Sequence, residues 1–310
     1  MVEGLRASMN AALIGQERLV ERLLVGLLAG GHVLLEGAPG LAKTRAVKRL
    51  AMGVEGGFNR IQCTPDLMPA DLTGAAVYRP DTGAFDFAPG PVFASLVLVD
   101  EINRAPPKVQ SALLEAMAEH QVTSGGVTRP LPDPFMVVAT QNPIEHEGTF
   151  PLPEAQLDRF LLYVKLEMPG RAAERAILDL VEREETAAAP PPPPRLSAEA
   201  VRGARAAAMT THLSPVLRDH IVGVVAATRE GEGAAAAIEH PVSPRGTLAL
   251  AACAKARAWL LGRDHAMPED VAELAGDALA HRMTVDWRAA AEGVDARGVV
   301  ARLLAQVPAP

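Results

Sequence analysis

The sequence predicts an α/β core built as a doubly wound parallel sheet, followed by a small all-α domain. Three observations predict it. Short apolar runs and helical stretches alternate through the first half of the chain, the pattern of an α/β domain. Two of those runs, Leu96-Val-Leu-Val99 and Phe135-Met-Val-Val-Ala139, are apolar at every position, as strands buried on both faces of a parallel sheet are. Beyond Pro169 only helical signals remain.

The elements follow in order. Residues 16–29 carry Leu19, Leu23, Leu24, Leu27 and Leu28 at helical spacing, and Gly30-Gly31 end that helix. His32-Val-Leu-Leu-Glu36 reads as a short buried strand, and residues 43–52 as the next helix. Residues 58–63 form another strand, and the runs at 96–99 and 135–139 supply two more. Two hairpins interrupt this plan. Tyr78-Arg-Pro-Asp-Thr-Gly-Ala-Phe85 turns at Asp81 to Gly83, and Gln121-Val-Thr-Ser-Gly-Gly-Val-Thr128 turns at its glycine pair. Phe85 and Phe87 share one strand face, which either packs on the sheet or meets a partner. A helix over 171–185 precedes Pro190-Pro-Pro-Pro-Pro194, a stiff extended spacer. Ser214-Pro215, Ser243-Pro244 and Met267-Pro268 each open a helix, because proline suits a first helical turn. The expected division is a core over 1–168, a linker over 169–196 with the proline spacer, and a helical domain over 197–310. No internal repeat is visible.

Composition narrows the function. The chain has 310 residues, 49% hydrophobic but only 4% aromatic, so its core must be mostly Ala, Leu and Val. A net charge of -7 gives no basic excess for a nucleic-acid partner. Cys63 and Cys253 lie too far apart for a zinc knuckle and suggest no disulfide framework. The first twelve residues include Glu3 and Arg6 and lack the apolar core of a signal peptide. The apolar stretch at 23–35, broken by Gly26, Gly30, Gly31 and His32, is too short to span a bilayer. These features read as a soluble cytoplasmic protein with no membrane insertion. The histidines show no metal-ligand spacing, and His146, between Glu145 and Glu147, reads as an exposed loop residue.

The chemistry concentrates at strand ends. Gly37-Ala-Pro-Gly-Leu-Ala-Lys-Thr44 lies between a strand and a helix, the context a phosphate-binding loop requires. Gly37, Ala38, Pro39, Gly40, Leu41 and Ala42 form the turn whose backbone N–H groups can close round phosphate oxygens. Lys43 is then directed at the β- and γ-phosphates, and the Thr44 hydroxyl at Mg²⁺. Ala42 departs from the pattern, which has glycine there. Leu96-Val-Leu-Val-Asp-Glu101 brings two carboxylates to another strand end, where α/β sheets bind ligands. Asp100 is the candidate magnesium ligand, through water, and Glu101 the group that polarises an attacking water. Asn142, after the run at 135–139, either orients that water or is a turn residue before Pro143. Arg159 at a helix end and Arg245 in a first helical turn are either charge stabilisers for phosphoryl transfer or solvated surface charges.

Taken together these residues resemble an AAA+ ATPase of the MoxR family, in the helix-2-insert branch. The resemblance is carried by Gly15-Gln-Glu17, Gly37 to Thr44, Ile61-Gln-Cys-Thr-Pro-Asp-Leu-Met-Pro-Ala-Asp-Leu-Thr-Gly74 and Gly90-Pro-Val-Phe93. It continues in Val99-Asp-Glu-Ile-Asn-Arg-Ala105, Ala139-Thr-Gln-Asn-Pro143, Glu154-Ala-Gln-Leu-Asp-Arg-Phe160, Ser243-Pro-Arg-Gly246, Gly262-Arg-Asp264 and Pro268-Glu-Asp-Val271. It covers nearly the whole chain from about residue 9. It implies an AAA+ core with a lid, with Lys43 and Thr44 as Walker A and Asp100 and Glu101 as Walker B. It also implies Asn142 as sensor 1, Arg245 as sensor 2, Arg159 as an arginine finger acting on a neighbouring subunit, and adenine held at Ile14 and Gly15. The hairpins would then line the pore of a hexameric ring. The implied activity is Mg²⁺-dependent ATP hydrolysis driving remodelling of a protein client, with a partner carrying a von Willebrand factor A domain. A nucleic-acid motor is the first alternative, against which the hairpins are poor in bases. A nucleotide-gated binding module with little turnover is the second.

Overall fold

In the computed structural model, residues 1–81, 83–143, 148–186 and 192–310 are described. Three sequence readings touch residues outside this set: the first hairpin's turn at Thr82, the loop at His146, and the spacer at Pro190-Pro191. The first part of the chain runs α1 (Val2–Ala12), α2 (Glu17–Leu28), β1 (Val33–Glu36), α3 (Lys43–Met52), β2 (Phe58–Gln62) and α4 (Pro69–Thr73). The hairpin β3 (Gly74–Arg79) and β4 (Ala84–Pro89) follows, then β5 (Leu96–Asp100) and α5 (Pro107–Glu119). A second hairpin, β6 (Gln121–Ser124) and β7 (Val127–Pro130), precedes β8 (Met136–Gln141), α6 (Glu154–Leu157), β9 (Leu162–Lys165) and α7 (Arg171–Thr186). The remainder is α8 (Ala198–Thr210), α9 (Pro215–Ala227), β10 (Ile238–His240), α10 (Pro244–Leu260), α11 (Pro268–Leu279), β11 (Thr284–Val285), α12 (Trp287–Ala291) and α13 (Ala296–Gln306).

The central sheet has the order β2-β5-β8-β1-β9. β1 pairs parallel with β8, β8 with β5, and β5 with β2. Every residue of β5, and all of β8 but Gln141, is buried, which is why these segments lack the polar alternation of a one-sided strand. β8 lies between β1 and β5, so the chain segments after Glu36, Asp100 and Gln141 emerge from neighbouring parallel strands at the same, carboxyl end of the sheet.

The chain divides into two compact units. The first is Met1–Leu24, His32–Pro151 and Val164–Arg202; the second is Val25–Gly31, Leu152–Tyr163 and Gly203–Pro310. In the second unit, α10 packs on α9 and α11, and α13 on α9 and α11. Its helix starts follow the sequence signals. The Ser214 hydroxyl accepts the Leu217 N–H, and the Ser243 hydroxyl accepts the Arg245 N–H. At α11 the Asp270 carboxylate does this work instead, accepting the Met267 N–H. The all-helical expectation for this region needs one correction. β10 and β11 form a two-stranded antiparallel ribbon, Ile238 opposite Val285. Strands of three and two residues are too short to show a period, so only their pairing reveals them.

The hairpins also split the expectation for their aromatic face. Phe85 is 71% exposed and contacts Tyr78, whereas Phe87 stacks edge-on against Phe93 and lies under the Arg129 guanidinium at 3.8 Å. Gly125 and Gly126 both take left-handed φ, at 60° and 76°, which a two-residue hairpin turn of this hand demands.

Candidate functional site

The loop between β1 and α3 begins at Gly37, whose added Cβ would sit 3.0 Å from both Leu166 and Leu41, so a larger residue there would crowd its neighbours. Gly40 turns at φ 88° and Ala42 at φ 55°. An alanine in the left-handed region carries a steric cost of roughly 1–2 kcal/mol, which the remainder of the loop must offset. Ala42 is the N-cap of α3, so the loop ends at a helix N-terminus, whose dipole favours an anion. Lys43 Nζ donates to the carbonyls of Gly37 and Ala38, and thereby folds its ammonium over the loop.

At the end of β5, Asp100 is buried and both of its oxygens are engaged. Oδ1 accepts the Thr140 hydroxyl at 3.1 Å and Oδ2 accepts Arg60 Nε at 2.6 Å. Glu101 leaves the strand at φ 56°, a strained conformation for a non-glycine residue. Its N–H is held by the Thr140 oxygen at 3.0 Å. Its carboxylate accepts Gln62 Nε2 at 2.9 Å and Arg104 at 3.3 Å. Thr140, on the neighbouring strand β8, therefore braces the Asp100 carboxylate and the Glu101 backbone. Asn142 follows β8 directly and is buried. Lys43, Thr44, Asp100, Glu101 and Asn142 line a single cleft of about 400 Å³, together with Arg60, Gln62 and Thr140. Close by, burial raises the Cys63 thiol to about 12, with the charges of Asp100 and Glu101 adding to the rise. Cys63 is thus an inert thiol that packs beneath the site.

A second cavity, of about 250 Å³, shares the loop residues Pro39 to Ala42 with the first. Its other walls are mostly apolar and include Leu13, Ile14, Met168, Ile177 and Leu180. Gly15, expected beside Ile14, is not on its wall. It turns the chain at φ 73°, donates its N–H to the Glu17 carboxylate at 3.3 Å, and leaves no room for a Cβ, which would meet Ala173 at 2.9 Å.

The arginines Arg159 and Arg245 both belong to the helical unit. Arg159 is exposed, one residue beyond Asp158 at the end of α6. Arg245, also exposed, reaches Asp158 Oδ2 at 3.4 Å. The same carboxylate pairs through Oδ1 with Arg282 Nε at 3.0 Å, and Arg282 is almost wholly buried. Arg282 further donates to the carbonyls of Asp158 and Phe160, which clamps the turn that presents Arg159. Sequence reading missed Arg60, Gln62, Thr140, Asp158 and Arg282. Residues 60 and 62 share a strand face by their spacing of two, but nothing in one chain says that β5 lies beside it.

Thr44 and Asp100 are hard oxygen donors, the chemistry Mg²⁺ takes, and both line the same cleft. Among the described residues no cluster of three or more His, Cys, Asp or Glu side chains could hold a metal unaided. The donor set thus fits a metal that arrives with phosphates.

A phosphate loop on β1, facing carboxylates on a strand that β8 separates from it, defines the class as a P-loop nucleoside-triphosphatase fold. The family model described as "ATPase family associated with various cellular activities (AAA)" matches residues 32–162, and the AAA lid domain matches residues 231–303. The chain is 45% identical to "Chaperone MoxR1" of Mycobacterium tuberculosis over 96% of its own length and 79% of that protein. It is 34% identical to "Protein MoxR" of Paracoccus denitrificans, over 89% of this chain and 86% of that one. A crystal structure of an inferred ATPase from Cytophaga hutchinsonii superposes with a TM-score of 0.91 at 40% identity, covering 100% of this chain and 94% of that one. The chain belongs to the MoxR family of AAA+ ATPases. No helix among the described residues is long and apolar enough to cross a membrane.

Proposed function

We propose that the protein binds ATP with Mg²⁺ and hydrolyses it as a cytoplasmic hexameric ring whose cycle remodels or activates a partner protein. The observation that carries the hydrolytic reading is the convergence of Lys43, Thr44, Asp100, Glu101 and Asn142 on one cleft. Backbone N–H groups after Gly37 and the start of α3 hold the phosphates, and Lys43 swings from the loop carbonyls onto the terminal pair. Mg²⁺, when bound, would supply neutralisation of phosphate charge. Thr44 and Asp100 would hold it. Glu101, fixed by Thr140, Gln62 and Arg104, polarises the attacking water, and Asn142 aligns it. The apolar cavity beside Ile14 suits a planar base.

Arg159 supplies positive charge to the nucleotide of an adjacent subunit, and Arg245 reads the γ-phosphate of its own. This makes each active site shared, so activity should need assembly. A partner with a von Willebrand factor A domain is the companion the family resemblance implies. A nucleic-acid substrate is disfavoured, because the hairpin bases already have partners: Arg79 pairs with Asp86 at 3.3 Å and Arg129 lies over Phe87.

The test is ATP turnover per chain against protein concentration with Mg²⁺, followed by mixing. Turnover should rise with concentration. Chains carrying Glu101→Gln and chains carrying Arg159→Ala, each inactive alone, should regain activity together, since a mixed interface pairs an intact glutamate with an intact arginine. Mixtures silent at every ratio would remove the shared-site reading.

A further inference from the structure

Asp100 already has a cation. Its side chain is only 8% exposed, and Arg60 Nε sits 2.6 Å from Oδ2, while Arg60 itself is 47% exposed. The carboxylate is therefore fixed in the strand end and the guanidinium is free to leave towards solvent. The geometry follows from the sheet. β2 runs parallel to β5 with Arg60 opposite Leu98 and Gln62 opposite Asp100, so residues 60 and 62 share the face that opens into the cleft. Each reaches one carboxylate of the neighbouring strand, and the Gln62 oxygen accepts Arg60 Nη2 at 3.3 Å. Asp100, Arg60, Gln62 and Glu101 thus form one connected chain.

We infer that Arg60 is a resident counter-cation of Asp100 that must exchange with Mg²⁺, so that β2 sets how much Mg²⁺ the nucleotide site requires. This rests on reading Asp100 as the metal carboxylate. A buried carboxylate is costly unless a cation faces it, and a guanidinium stays charged at any pH the protein meets. It also repels a divalent ion brought to the same carboxylate. Guanidinium and metal compete for Asp100, and part of the metal's binding free energy goes into displacing the arginine. Arg60's departure also removes the donor that holds the Gln62 oxygen, so metal loading is felt at the residue that tethers Glu101.

The experiment is a fluorescent-ADP binding titration against Mg²⁺, beside an EDTA control, with melting temperatures for each state. Wild type, Arg60→Gln, Arg60→Lys and Asp100→Asn are compared. The half-saturating Mg²⁺ of Arg60→Gln should fall about threefold or more, the order expected for losing one half-exposed ion pair. Arg60→Lys, which keeps a charge without the fixed fork, should lie between that variant and wild type. The melting gain from Mg²⁺ and ADP should be larger in Arg60→Gln than in wild type, because its Asp100 lacks a counter-cation without the metal. An unchanged or raised Mg²⁺ requirement in both Arg60 variants overturns the inference. If Asp100→Asn still abolishes the Mg²⁺ effect in that case, the reading of Asp100 survives and only the role of Arg60 falls. Wild-type binding indifferent to Mg²⁺ overturns both.

Discussion

The two units use charge in opposite ways. In the α/β unit the charged groups of the cleft hold partners from which they can separate: Lys43 on loop carbonyls, Asp100 on a half-exposed arginine, Glu101 on a glutamine. In the helical unit three aspartates are locked into pairs with arginines. Asp270 is fully buried against Arg257 at 2.7 Å and Arg263 at 2.6 Å, Asp277 is fully buried against Arg297 at 2.7 Å, and Asp158 faces the buried Arg282. Buried pairs add little net stability but cost much to break, so they hold geometry, whereas exposed pairs can exchange. One unit thus holds its charges in pairs that can exchange, and the other fixes the turn that carries Arg159.

The largest expected effect tests the exchangeable side. Glu101→Gln should lower ATP turnover by about 10²–10⁴, the usual span for removing a general base, while fluorescent nucleotide still binds. Loss of binding together with turnover would mean that Glu101 supports the fold of the cleft instead. Next comes the locked side. Asp158→Ala leaves Arg282 buried without its carboxylate and should cost about 3 kcal/mol in urea unfolding. A loss no larger than that of an exposed pair would erase the contrast between the units.

Acid sharpens the same contrast. Burial alone would raise the Asp270 carboxyl, but hydrogen bonds from Arg263, the Met267 N–H and Arg257 outweigh it and hold the carboxyl below its usual range. A depressed carboxylate contributes fully above its unfolded value, about pH 4, and its contribution is lost as pH falls through the folded value. The stability gap between wild type and Asp270→Asn should therefore narrow as pH drops below about 4. A gap that stays constant there would show that the ion pairs are not the source. The smallest effect concerns the hairpins. Arg129→Ala removes the cation over Phe87 and the donor to the Ser124 and Val127 carbonyls, and should cost about 1 kcal/mol. Limited proteolysis between β6 and β7 should quicken accordingly, and unchanged cleavage would mean that the turn is held by its glycines alone.

Much of the fold was legible. The helix expected over residues 43–52 is α3 (Lys43–Met52); the run at 96–99 lies in β5, and all of the run at 135–139 but Phe135 lies in β8. These elements are written in local spacing, which a window of ten residues contains. The loop from Gly37 to Thr44 was legible for the same reason, since its glycine, lysine and threonine positions are contiguous. The ribbon of β10 and β11 was not, because its strands carry no period and lie far apart in the chain.

By itself, then, the sequence determined which residues follow the phosphate-loop pattern, where helices start, and that two carboxylates end a buried strand, because each rests on neighbours along the chain. Only the tertiary structure decided what those carboxylates touch. Arg60 meets Asp100 across 40 residues, Gln62 meets Glu101 across 39, and Arg282 reaches the Asp158 carbonyl across 124. Those pairings depend on strand order and helix packing, and strand order follows from burying every apolar face at once rather than from any local signal.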